Sequence, residues 1–227
     1  MVFNFENSNN SGTEQVENEK AREQKEELLH YNAIIVAPAY ESQEHKSGLD
    51  LNTRLRLLGA ALDYKKGFAE RIVVGGTQIR KMEETFADLM EKNLIKLGVP
   101  KEAIDKETDT FDTSSQINWI KNHIEQYGND AAIITDPAQK AHIDALIAGF
   151  DLREKLGVLT YEDLFETLVP DENDNKRLRA IIAKLHNSSY WTRFEIIEKI
   201  EAIVVKYLDP KGEKMRKMAR YRLKNDK

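Results

Sequence analysis

AIIVAPA, residues 33–39, holds no charged side chain and no amide. It is too short to cross a membrane and has no helical period. It reads as a strand buried on both faces, the kind found in parallel sheets covered by helices on each side. That reading stands only if such runs recur with helices between them, and they do. Residues 48–66 follow with Leu49, Leu51, Leu55, Leu58, Ala61 and Leu62 at helical spacing, and RIVVGG (71–76) is a second buried strand ending in two glycines. Residues 82–97 place Met82, Phe86, Leu89, Met90, Leu94 and Leu97 on one face, and Gly98 and Pro100 stop that helix. A short strand follows at 103–107, a helix at 113–127, the strand AAIITD (131–136), a helix at 138–149 and a strand edge in VLTYED (158–163). Alternation of this kind predicts an α/β fold: a three-layer domain with a mostly parallel sheet of about five strands.

The texture changes on either side of this body. Residues 1–30 form an acidic tail: Asn, Ser and Gly with little to bury up to about 12, then a charged, helix-prone lead-in over 14–30. After residue 161 the strands stop, and 161–168, 174–186, 192–208 and 212–224 read as helices, with Thr192 and Glu195 as a capping box. The organisation expected is therefore 1–30 as tail, 31–160 as the α/β domain and 161–227 as an all-helical extension.

Composition narrows the function. The net charge is −5, but residues 211–227 carry eight basic and two acidic side chains. An acidic body with a basic tail does not look like a dedicated nucleic-acid binder. The chain has no cysteine, which excludes disulfides, thiolate metal sites and cysteine nucleophiles. No run approaches the roughly 18 apolar residues of a membrane span. The N-terminus lacks the basic start and apolar core of a signal peptide, so a cytoplasmic protein is expected. The five histidines show neither HxxxH nor HExxH spacing, so the sequence gives no metal signal. Neither Ser114 nor Ser115 has a GxSxG context.

In an open parallel sheet, ligands bind outside the carboxyl ends of the strands. That rule selects the loops at 38–48, 75–80, 107–113 and 135–139. Gly75-Gly76-Thr77-Gln78 reads either as a backbone cradle for a phosphate or carboxylate or as a tight turn needing positive φ. In ETDTFDTSSQ (107–116), Thr113 and Gln116 fit a capping box, whereas Glu107 and Thr110 precede the helix and are expected to face a pocket. Asp136 is a natural N-cap with Pro137 at the first helical position, and Gln139 would complete its box. Arg54, near a helix start, runs against the helix dipole, which fits either an anionic partner or a solvated pairing with Asp50.

Taken together in order, these motifs resemble the YdcF-like family, also called SanA-like or ElyC-like (domain of unknown function 218), over about 32–160. The resemblance rests on TRLRLLGAALDYKKG with Arg54 in place, then IVVGG, DLMEKNLIKLGVP, ETDTFDTSSQ and IITDPAQKAH. It implies a Rossmann-like fold and a polar pocket at the strand ends, with S-adenosylmethionine binding suggested for some members. Where the family has other residues, this chain has Phe86, Gln116, Gln139 and His142. The expectation is a site for a small anionic molecule, such as a nucleotide or S-adenosylmethionine. Arg54, Gly75, Gly76, Thr77, Gln78, Thr110, Thr113, Asp136 and Gln139 would bind it, and Glu107 would move a proton or contact a ribose. The alternative is a catalytically lapsed protein that binds a protein partner through its helical extension.

Overall fold

In the computed structural model, which describes residues 30–38, 48–78, 83–169 and 171–217, the five apolar runs pair into one sheet. The strands are β1 (Tyr31–Val36), β2 (Ala69–Gly75), β3 (Ile104–Glu107), β4 (Ala131–Thr135) and β5 (Leu156–Thr160). All pairings are parallel, and the order is β3-β2-β1-β4-β5. This is the Rossmann-like order, in which the chain leaves β1 towards β2 and β3, then returns to the other side of β1 for β4. Ile34 pairs with Ile72, and Ile35 with Ile133.

Because strand side chains alternate between faces, each apolar run supplies two cores. Ala33, Ile35, Val73, Ala131 and Ile133 face one side. There they meet Ile117 and Ile120 of α3 (Thr113–His123), Ile143, Leu146 and Ile147 of α4 (Pro137–Gly149), and Val205 of α7 (Ser189–Tyr207). The opposite layer holds α1 (Leu51–Lys65), α2 (Phe86–Lys96) and α5 (Tyr161–Leu168). Helix α6 (Glu172–His186) leads into α7, and Trp191 of α7 stacks on His186 at 4.0 Å between ring centroids. The described residues from Tyr31 onward form one compact unit, and no helix among them is long and apolar enough to cross a membrane.

The helical part is built into this core. Val205 and Tyr161 are both 0% exposed. Beyond α7, Asp209 accepts from the backbone N–H groups of Glu213, Lys214 and Met215. The same turn lies so close to α4 that a Cβ on Gly149 would fall 1.8 Å from the carbonyl oxygen of Pro210.

Several sequence expectations shift. The last strand ends at Thr160, whose hydroxyl caps α5 through Asp163 N, so Tyr161 to Asp163 are helical. Helix α7 starts at Ser189 under the Ser188 cap, and Thr192 donates its hydroxyl to the Ser188 carbonyl instead of capping anything. Asp112 caps α3 reciprocally with Ser115, one residue before the Thr113–Gln116 box that the pattern suggested. Helix α2 starts one residue after Thr85, which forms a capping box with Asp88. The inward face of α1 also differs: Leu51 is 41% exposed, while Asn52, Thr53, Arg56, Ala60 and Asp63 are buried. A helix pressed between a sheet and α5 has little surface left for an amphipathic stripe. The tail helix, Met82, His45 and the basic tail beyond 217 lie outside the described residues.

Candidate functional site at the strand carboxyl ends

The strand order reverses between β1 and β4, which is where a doubly wound sheet opens a crevice. A fully buried charge sits at that point. Arg56, on the second turn of α1, is 0% exposed. Its NH1 donates to the carbonyl of Ala37 at 3.0 Å, just past β1. Its NH2 donates to Asp136 Oδ2, just past β4, and to Gln139 Oε1 at 3.2 Å. Asp136 also accepts from Asn52 Nδ2 at 2.9 Å and, as the cap of α4, from Gln139 N at 2.8 Å. The guanidinium thus ties together the two strands at the switch point.

Two atoms of this cluster are left over. Asn52 Oδ1 and Arg56 Nε are buried and have no hydrogen-bond partner. They belong to side chains four residues apart on α1, hence on one face. Buried polar atoms are nearly always paired with protein, water or a ligand, and an orphan costs about 1–3 kcal/mol. Tyr161 lies in the same surroundings; burial, then the charge of Asp136, pushes its phenol well above the usual range.

Gln139 carries the network onward. Its Oε1 also accepts from Thr135 Oγ1 at 3.1 Å, and its Nε2 donates to Thr113 Oγ1 at 3.3 Å and to Glu198 Oε1 of α7 at 3.2 Å. Gln139 therefore does not complete a capping box. Its amide links α1, β4, α3 and α7 beside the strand ends. Asp136 takes the N-cap role that the sequence suggested, with Pro137 opening the helix.

The residues expected on the β2 and β3 side divide. Gly76 has φ +137°, and a Cβ there would lie 3.0 Å from both Phe86 and Pro38, so the tight-turn reading accounts for it. The backbone donors expected to cradle an anion are used inside the fold: Gly76 N donates to Glu107 O at 3.0 Å and Thr77 N to Thr110 O at 2.8 Å. Gly75 leaves room for the Glu107 carboxylate, which would lie 3.3 Å from a Cβ at that position. Glu107 is buried, and its carboxylate accepts from the N–H groups of Asp109 and Thr110 and from the Thr110 hydroxyl. Three donors hold it as the anchor of its own turn, not as a base presented to a substrate. Thr77 is half-buried and Gln78 is exposed; Arg54 is exposed, with its guanidinium near Gly48 at the end of the loop between β1 and α1.

Arg56, Asn52 and Glu198 were missed in the sequence. Arg56 is flanked by Leu55 and Leu57 in an apolar helix, which is the signal the sequence carries for it. Glu198 lies 59 residues from Gln139, and no local pattern reports such a contact.

A cavity of about 490 Å³ lies elsewhere, between α3 and the turn after α7, lined by Asn118, Lys121, Asn122, Phe150, Lys211 and Arg216 among others. It does not include the strand-end residues.

No family model matches the chain, and no curated protein or solved structure matches it.

Proposed function

We propose that the chain is a divergent YdcF-like protein that binds a small anionic molecule, a nucleotide or an S-adenosylmethionine-like compound, at the carboxyl ends of β1 and β4. The observation that carries this reading is the orphan pair Asn52 Oδ1 and Arg56 Nε at the strand switch point. A ligand or water held there would satisfy both. Exposed Arg54, two residues from Arg56, is the outer counter-charge, and Asp136 and Gln139 fix the inner wall. Glu107, Thr110, Gly75 and Gly76 shape the neighbouring turn; this reading assigns no reaction to them. A cytoplasmic location fits the same reading.

The test is a thermal-shift screen of nucleotides, S-adenosylmethionine and sugar phosphates, since ligand binding to the native state raises the midpoint. A compound that shifts the wild type is expected to bind Arg54→Ala about tenfold more weakly, because that exposed side chain leaves the fold intact. No shift with any compound, or equal shifts in the variant, sinks the reading.

One observation favours a second reading, a lapsed site with an interacting helical part. Ile196, Ile200, Ile203 and Tyr207 of α7 are 55%, 56%, 59% and 67% exposed. Their spacing of four, three and four residues reads the same in both directions. Two copies of α7 crossing antiparallel would set Ile196 against Tyr207 and Ile200 against Ile203, as a two-fold interface requires. The partner on this reading is a second copy of the chain. Sedimentation of a monomer at all concentrations excludes it.

A further inference from the structure

Helix α7 meets α4 through a second cluster, which shares only Glu198 with the strand-end network. His142 of α4 points its Nδ1 at two carboxylates of α7, 2.8 Å from Glu198 Oε2 and 3.4 Å from Glu201 Oε2. The three donor atoms all lie within 4.8 Å of one another. Glu198 and Glu201 are three residues apart, so both carboxylates leave the same face of α7. We infer that His142, Glu198 and Glu201 bind one divalent first-row transition-metal ion, for which zinc is the probe.

Two of the three donor separations are close to what such an ion requires, and the third is at most 4.8 Å. Metal–ligand bonds of about 2.0–2.2 Å at tetrahedral angles set donor atoms roughly 3.3–3.5 Å apart. The His142–Glu201 separation already has that value, and the His142–Glu198 hydrogen bond needs to open by about half an ångström. The surroundings supply the outer contacts that metal ligands ordinarily have. Glu198 Oε1 is held by Gln139 Nε2 at 3.2 Å, and Gln139 is itself fixed by Arg56 and Thr135. One imidazole nitrogen with two carboxylates suits zinc, manganese or cobalt better than magnesium or calcium, which favour all-oxygen shells. His142 and Glu198 are buried, while the Glu201 side chain is 36% exposed and gives the ion an entry side. Three protein ligands leave a fourth position for water or a small anion.

The ion would clasp α7 to α4 and so couple metal occupancy to the stability of the whole unit. The experiment uses the full chain, stripped with a chelator and titrated with zinc by calorimetry. Cobalt absorption serves as a second readout. One ion per chain is expected, with a rise in the unfolding midpoint on zinc addition. Affinity is expected to fall at least tenfold in His142→Ala and in Glu201→Gln. Glu201 is partly exposed, so its variant retains the fold and decides the matter if His142→Ala does not fold. Absence of stoichiometric binding by the wild type overturns the inference, as does wild-type affinity in both variants. A plain hydrogen bond between His142 and Glu198 predicts the former result.

Discussion

Arg54 and Arg56 are two residues apart and live in opposite media. Removing a partner from a buried ion pair leaves a charge without compensation, which costs about 3–5 kcal/mol. Arg56→Met is therefore expected to lower stability by that amount in urea denaturation, whereas Arg54→Ala is expected to stay within about 0.5 kcal/mol of wild type. Asp63 sets up a different test. It is 0% exposed, neither carboxylate oxygen has a partner, and burial pushes its pKa up to about 7. A raised folded value means that the native state binds the proton more tightly than the unfolded chain does. Stability is then full below about pH 4 with respect to this group and declines as pH rises towards 7. The full penalty is roughly 4 kcal/mol at about 1.4 kcal/mol per pKa unit. Asp63→Asn is expected to flatten this part of the profile and to exceed wild type in melting temperature at pH 8. An unchanged slope between pH 4 and 7 would refute the assignment. Neither residue was legible in the sequence, since a charge inside an apolar helix looks the same whether it turns inward or outward.

At the scale of elements, the strands were legible because a parallel sheet buried on both faces needs uninterrupted apolar runs. Their neighbours were less so. Capping patterns overlap wherever Ser, Thr and Asp crowd together, and Asp112 displaced Thr113 while Ser188 displaced Thr192. Ser188→Ala is expected to cost about 1 kcal/mol, read from thermal unfolding, while Thr192→Ala costs little. The ETDTFDTSSQ stretch was half legible: its polar residues were marked as special, but Glu107 and Thr110 bond to each other and not outward. On α7, Ile200→Glu is expected to leave the melting temperature near wild type and to abolish any concentration-dependent sedimentation. A self-associating Ile200→Glu protein would refute the α7 pairing.

For the whole molecule, the sequence drew a boundary near residue 161 because the composition changes there. Packing crosses it freely: Tyr161 and Leu164 sit against the inner layer of α1, and Val205 closes the other core. Composition records which elements are helices and says nothing of where they dock. A fragment of residues 31–160 is therefore expected to lack a cooperative thermal transition in far-UV circular dichroism, and a fragment that melts cooperatively would contradict this packing. The strand-end site belongs to the same lesson, since Gln139 reaches it from the body and Glu198 from the last long helix.

The burial of Val205 also bears on synthesis. Ribosomes add roughly 5–20 residues per second, and domains ordinarily fold as units once they emerge. Here the strands are made first, and the helix that covers one side of them is made well afterwards. For the seconds between, Ile35, Ile133 and Ile143 lack part of their lid, a surface of the kind chaperones hold. Folding of this chain is therefore a late event, completed when α7 arrives.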